Sequence, residues 1–179
     1  MRPLFLIGPR GSGKTTIGRI LASRLNYGFI DLDQTLVEAL QATVADIVDK
    51  EGWEGFRDRE AAHLREMLER IENTPEMVVA TGGGVVLRPE NRSLLARNGK
   101  VFWLDAPAAQ LLARLATNPL SSQRPSLTGK DPLTEMMEVL AEREPLYSAC
   151  AHHKIDAASE PETVCRQIIQ LIRSGISKH

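Results

Sequence analysis

Apolar positions along this chain fall in short runs that alternate with stretches of helical spacing. Leu4-Phe5-Leu6-Ile7 is an uninterrupted apolar run of strand length, closed at once by Gly8. A run of this kind, bounded by turn residues, reads as a strand buried on both faces. Residues 27–31, 77–81, 101–104 and, more weakly, 154–156 read as further strands. Between them, helical spacing is predicted over 16–22, 34–40, 44–52, 56–71, 89–97, 108–116, 132–147 and 162–173. The 56–71 helix carries Phe56, Leu64, Met67, Leu68 and Ile71 as its apolar set. Pro89 suits a first helical turn, whereas Pro145 predicts a kink or an end within 132–147. Strands alternating with helices predict an α/β fold: a five-stranded parallel sheet covered on both faces, three layers in all, with right-handed crossovers.

One segment breaks this rhythm. Residues 117–131, TNPLSSQRPSLTGKD, are rich in Pro, Ser, Thr and Gly and have no apolar periodicity. A loop this long inside a compact domain is usually functional or disordered. It carries Arg124 and Lys130, so it could close over phosphates. The 179 residues are enough for one domain with its own core. A formal net charge of −1 provides no global field to hold nucleic acid or an anionic membrane, so any bound anion must be gripped by local clusters. Cys150 and Cys165 lack metal-ligand or redox spacing and read as free thiols of a reducing cytoplasm. No apolar stretch has the length of a membrane span, and a chain that opens on a strand is expected to have no secretion signal before it.

The densest chemistry follows the first strand. Gly8-Pro9-Arg10-Gly11-Ser12-Gly13-Lys14-Thr15 matches the phosphate-binding pattern G-x-x-x-x-G-K-[ST], in the strand–loop–helix context that the pattern requires. Glycines let the backbone wrap an anion, and N–H groups at the helix start point at phosphate oxygens. Lys14 would reach the terminal phosphates, and Thr15 would offer its hydroxyl to a magnesium ion.

Asp31-Leu32-Asp33 ends the second strand. Alternation on an extended chain puts both carboxylates on one side, beyond the carboxyl ends of the strands, where ligands of open α/β sheets bind. One could hold Mg2+ through water. The other could accept a proton from an attacking hydroxyl. Capping of the next helix is the competing role. Arg57 is flanked by Trp53 and Phe56, with Glu60 one turn on and able to orient its guanidinium. Gly82-Gly83-Gly84 predicts close backbone approach to a ligand or a tight turn. Arg143 stands in a charged run, and the neighbouring pair His152-His153 makes a poor metal site because adjacent strand residues point to opposite faces.

Together these segments resemble a shikimate kinase over nearly the whole chain. The resemblance rests on GPRGSGKTT, the DLD after the second strand, GFRDRE, the TGGG after the third strand, RPSLTGK, and the ERxPLY stretch that holds Arg143. The P-loop is shared by many ATPases and kinases, whereas GFRxxE, TGGG and RP in this order are much more specific. The resemblance implies the P-loop fold of nucleoside monophosphate kinases, with strand order 2-3-1-4-5. It implies a single kinase domain over 1–179, with a shikimate-binding helical insertion near 33–60 and a mobile lid near 117–131.

The implied activity is transfer of the γ-phosphoryl group of ATP to the 3-hydroxyl of shikimate, giving shikimate 3-phosphate and ADP on the route to chorismate and aromatic amino acids. By the same resemblance, Gly11, Ser12, Gly13, Lys14, Thr15 and Thr16 hold ATP phosphates, and Arg124 reaches them from the lid. Asp33, Arg57, Gly82, Gly83, Gly84 and Arg143 face shikimate, and Thr15 and Asp31 serve Mg2+. Lys14, Asp33 and Arg124 are the implied catalytic groups. The expected form is a cytoplasmic monomer with no nucleic-acid or membrane partner. Residues 156–161 contain no arginine, so none is assigned to adenine there. Two arginines can grip a carboxylate with forked, charge-assisted hydrogen bonds, which suits a small hydroxylated acid. A kinase of another polyol acid, such as gluconate, is the nearest competing reading. A nucleotide-driven switch is disfavoured by the absence of an N-K-x-D segment.

Overall fold

The apolar run Leu4–Ile7 forms β1, at the centre of the sheet and buried along its whole length. The computed structural model describes residues 2–74, 76–117 and 130–176. On one side of β1 lie β3 (Met77–Ala80) and then β2 (Gly28–Asp31); on the other lie β4 (Lys100–Asp105) and then β5 (His153–Asp156). All four pairings are parallel, with Leu4 opposite Val78 and Lys100. The order β2-β3-β1-β4-β5 is the one the resemblance implies.

Strand alternation divides the core in two. Phe5, Ile7, Val79, Val101 and Trp103 pack under α3 (Val44–Ile71), α4 (Pro89–Asn98) and α6 (Pro132–Cys150). Leu4, Leu6, Val78, Phe102, Leu104 and Ile155 pack under α1 (Lys14–Leu25) and α7 (Pro161–Ile176). A third, smaller cluster of Leu36, Val44, Ile47 and Phe56 joins α2 (Leu32–Leu40) to the first half of α3. The remaining helix, α5 (Ala108–Ala116), has the predicted bounds.

Three expectations change. The helices predicted over 44–52 and 56–71 run together as α3, entered through a reciprocal Thr43–Asp46 capping box and bent at Gly52, whose φ of 69° no other residue type adopts easily. The helix predicted to kink or end at Pro145 continues to Cys150. Pro145 is exposed, so the carbonyl of Ala141 that loses its N–H partner faces solvent, while buried Arg143 and Tyr147 anchor the turns around it. The glycine run is followed by a short 3-10 turn, Val85–Leu87, that periodicity did not reveal.

The three described histidines are structural. His152 accepts the Val101 N–H on Nδ1 at 3.0 Å, and His153 stacks on Phe102. His63, on α3, lies with Nε2 2.8 Å from the Thr35 hydroxyl on α2. Burial holds all three imidazoles below their ordinary value. The native protein therefore binds fewer protons than the unfolded chain, and stability present at pH 7.5 is lost as the pH falls through and below about 6.5. The melting temperature should drop between pH 7.5 and pH 5.5. His63→Gln, which can still bond Thr35 but does not titrate, should drop less steeply; equal slopes would remove His63 from the linkage.

Candidate active site

The site is assembled where β1, β2 and β3 end. Beyond β1 the P-loop coils with Gly11 and Gly13 at φ 79° and 89°, and Gly13 serves as the N-cap of α1 without a side-chain cap. The first N–H groups of α1 are thereby directed into the loop, the arrangement that binds phosphate. Ser12 is fully buried. Lys14 lays its ammonium on the loop, 2.8 Å from the Gly8 carbonyl and 2.7 Å from the Pro9 carbonyl. Thr15 and Thr16 occupy the exposed side of the first helical turn.

The Asp31 carboxylate has two jobs. Its Oδ1 accepts the backbone N–H groups of Asp33 and Gln34 at 3.1 and 3.2 Å and so caps α2. Its Oδ2 accepts the Thr15 hydroxyl at 2.5 Å. Capping, the competing role in the sequence, is thus met by Asp31, and the same side chain also bonds Thr15 of the P-loop. The alternation argument for Asp33 is corrected: the chain is already helical at Leu32, so Asp33 leaves from the first turn of α2 and not from an extended strand.

Asp33 points instead at the glycine turn. A Cβ on Gly82 would lie 2.6 Å from Asp33 Oδ1 and 2.5 Å from Glu60 Oε1. On Gly84 it would overlap the Arg57 guanidinium. Main chain without side chains is therefore what lets Asp33, Glu60 and Arg57 pack against this turn. Arg57 is 9% exposed. Its Nη1 donates to Glu60 Oε2 at 2.7 Å, as the sequence spacing predicted, and its Cζ lies 5.5 and 5.0 Å from the ring centres of Trp53 and Phe56. Arg143, 8% exposed, reaches the same turn from α6 and donates from Nη1 to the Gly83 carbonyl at 3.2 Å. Its buried Nε has no hydrogen-bond partner among the described residues. A Cβ on Gly83 would sit 3.4 Å from the Arg10 nitrogen and 3.5 Å from the Gly8 carbonyl oxygen, so the turn lies against the P-loop.

Sequence reading missed two contributors. Tyr147 donates its hydroxyl to the Gly83 carbonyl at 2.5 Å; the signal available was its position one helical turn after Arg143. Arg114, an ordinary charged position in the last turn of α5, bridges the Ala157 carbonyl (2.8 Å) and the Gly11 carbonyl (3.4 Å), tying the P-loop to the segment after β5. Nothing in the sequence distinguished it from a solvated arginine. Arg124 and most of the 117–131 segment lie outside the described residues.

The family model for shikimate kinase matches residues 10–173. A shikimate kinase 2 of Yersinia enterocolitica is 49% identical over 169 residues, covering 94% of each chain. The chain belongs to the shikimate kinase family. Members transfer a phosphoryl group from ATP to shikimate. A solved structure of an Acinetobacter baumannii shikimate kinase in complex with shikimate superposes with a TM-score of 0.90 at 35% identity, covering 98% of this chain and 94% of that one. A gluconokinase of Sinorhizobium meliloti covers 99% of this chain and 98% of its own at a TM-score of 0.60 and 18% identity, a likeness of fold alone. The gluconate alternative is thereby left with shared architecture, while the specific motifs and the high-identity relatives agree on shikimate kinase.

The glycine turn provides a direct test. Gly84→Ala should displace the Arg57 guanidinium and raise the shikimate KM by about tenfold or more, given a charged hydrogen-bond network at stake, with the ATP KM little changed. Parallel changes in both constants would show general disruption in place of an acceptor-side effect.

Proposed function

We propose that this shikimate kinase holds its acceptor between Arg57, Arg143 and the 82–84 glycine turn, and its donor on the P-loop, with Asp33 at the junction. The observation that carries the reading is the convergence of two buried guanidinium groups on consecutive residues of one glycine turn that itself lies against the P-loop. A carboxylate would take the forked hydrogen bonds of Arg57 and Arg143. Asp33 would accept a hydrogen bond from the 3-hydroxyl and orient it toward the γ-phosphorus, taking its proton as the new P–O bond forms and the bond from the γ-phosphorus to the leaving ADP oxygen breaks. Phosphoryl transfer has a loose transition state, so alignment and charge neutralisation count for more than a strong base. The Lys14 ammonium, now within reach of loop carbonyls, would follow the charge onto the β,γ-bridging oxygen. Gly11, Ser12, Gly13, Thr15 and Thr16 would supply the remaining phosphate contacts, and Arg124 is assigned to the transferred group from the 117–131 lid.

The donor set fits Mg2+. A hydroxyl and a carboxylate, both hard oxygen ligands, meet at 2.5 Å where the P-loop faces Asp31, and Mg2+ takes few protein ligands and keeps several waters. Thr15 would bind it directly and Asp31 through water. An ion held by these two residues would supply positive charge to offset that of the β- and γ-phosphates. We further assign a cytoplasmic monomer. No helix among the described residues is long and apolar enough to cross a membrane.

A coupled assay with ATP, Mg2+ and shikimate tests the reaction, and two variants test the roles. Asp33→Asn should lower kcat by at least about 100-fold, the scale of general-base contributions, with ATP affinity nearly unchanged. Collapse of ATP binding with preserved turnover per bound ATP would move Asp33 to the metal site. Arg57→Lys should weaken shikimate binding by about 1.5–3 kcal/mol. For an analogue without the carboxylate, the same substitution should cost little more. If the two losses add in full, Arg57 does not read the carboxylate.

A further inference from the structure

Tyr147 stands in the same sequence stretch as Arg143 but has no part in the mechanism above. It is 1% exposed, and its hydroxyl donates at 2.5 Å to the Gly83 carbonyl, the same oxygen that accepts Arg143 Nη1 at 3.2 Å. Four residues apart on α6, the two side chains leave one face of the helix and meet at one acceptor. On its other side the Tyr147 ring stacks on Trp103, with ring centres 5.7 Å apart and an angle of 24° between planes. Trp103 is in β4, in register with Ile7 of β1, the last strand residue before the P-loop. The phenol thus links the central sheet to the acceptor turn.

Gly83 is a junction. The residue before it packs against Asp33 and Glu60, the residue after it against Arg57, and its own Cα against the P-loop. Tilting its peptide plane would move the surface on which all of these rest. A carbonyl offers two lone pairs, and here both donors come from α6. With Tyr147 on one, Arg143 spends a single N–H on the turn, and its guanidinium also lies in hydrogen-bond contact with the phenol.

Resting on the assignment of Arg143 to the acceptor carboxylate, we propose that Tyr147 is a positioning residue of the phosphoryl-transfer site: its hydroxyl fixes the Gly83 carbonyl and so sets both the glycine turn and the angle at which Arg143 meets the acceptor. Without that hydroxyl, Arg143 would be the only donor to the carbonyl and its guanidinium would rotate toward the turn. Burial pushes the phenol up to about 12, so it remains a donor across the working range of pH. Its role is held in the proton it offers, since a phenylalanine would fill the same volume and keep the stack on Trp103.

The test is a cycle of Tyr147→Phe, Arg143→Lys and the double variant, each assayed for the KM of shikimate and of Mg·ATP and for its unfolding midpoint. Tyr147→Phe should raise the shikimate KM about three- to tenfold, the scale of one buried hydrogen bond, and leave the Mg·ATP KM within about twofold. In the Arg143→Lys background it should add little, because the fork it orients is gone. An unchanged shikimate KM in Tyr147→Phe overturns the proposal. So does a parallel rise of both constants with a lowered midpoint, or a full additive effect in the double variant; each would mark Tyr147 as core packing only. Failure of the Arg143 assignment is a separate result, seen as an unchanged shikimate KM in Arg143→Lys alone.

Discussion

Burying a guanidinium group removes strong hydration, and a protein can sustain it only by surrounding the charge with acceptors. This site buries two. Arg57 is compensated within the protein by the Glu60 carboxylate and two aromatic faces. Arg143 is compensated only in part: its partners, the Gly83 carbonyl and the Tyr147 phenol, are neutral, and its Nε has no hydrogen-bond partner among the described residues. The positive surplus is therefore local, at the glycine turn that lies against the P-loop. In the proposed acceptor site an anion would relieve that cost, a physical reason for an acid with a single carboxylate to bind in one orientation.

The rest of the site follows from where chain ends meet. Parallel strands deliver their carboxyl ends to one edge of the sheet, so the P-loop after β1, Asp31 at the end of β2 and the glycine turn after β3 come together without any long excursion of the chain. The two helices that bring Arg57 and Arg143 cover the same face of the sheet and share one apolar cluster with Trp103 and Tyr147. Core and site are continuous: the ring that packs the core ends in the hydroxyl that holds the turn.

Much of this was legible because its determinants are local. The P-loop is a contiguous pattern whose glycine conformations follow from composition, and the strands β1 and β4 are dense apolar runs. The Arg57–Glu60 pair is an i,i+3 contact on one helix, so spacing alone sufficed. What escaped needed tertiary information. Asp33 was placed on an extended chain because the helix start at Leu32 is set by Asp31 acting as a cap, a choice that residue pattern leaves open. The helix through Pro145 persists because Arg143 and Tyr147 are anchored across the site, which no local propensity records. Arg114 acquired its bridging role from Ala157, just after β5 and 43 positions further on.

In the proposed acceptor site one wall is made of backbone. Side chains normally let an enzyme drift toward new substrates one substitution at a time, but at Gly82 and Gly84 the space a side chain would take is already filled by carboxylates and a guanidinium. A side chain here is accommodated only if Asp33, Glu60 or Arg57 gives way. Any change in acceptor range must come from the helices that face it, α2, α3 and α6, which can shift or exchange their charged residues while the glycine turn stays fixed. The same packing bears on inhibition: a ligand built to lie flat on that turn would meet a surface that a side chain at Gly82 or Gly84 reshapes only by displacing Asp33, Glu60 or Arg57.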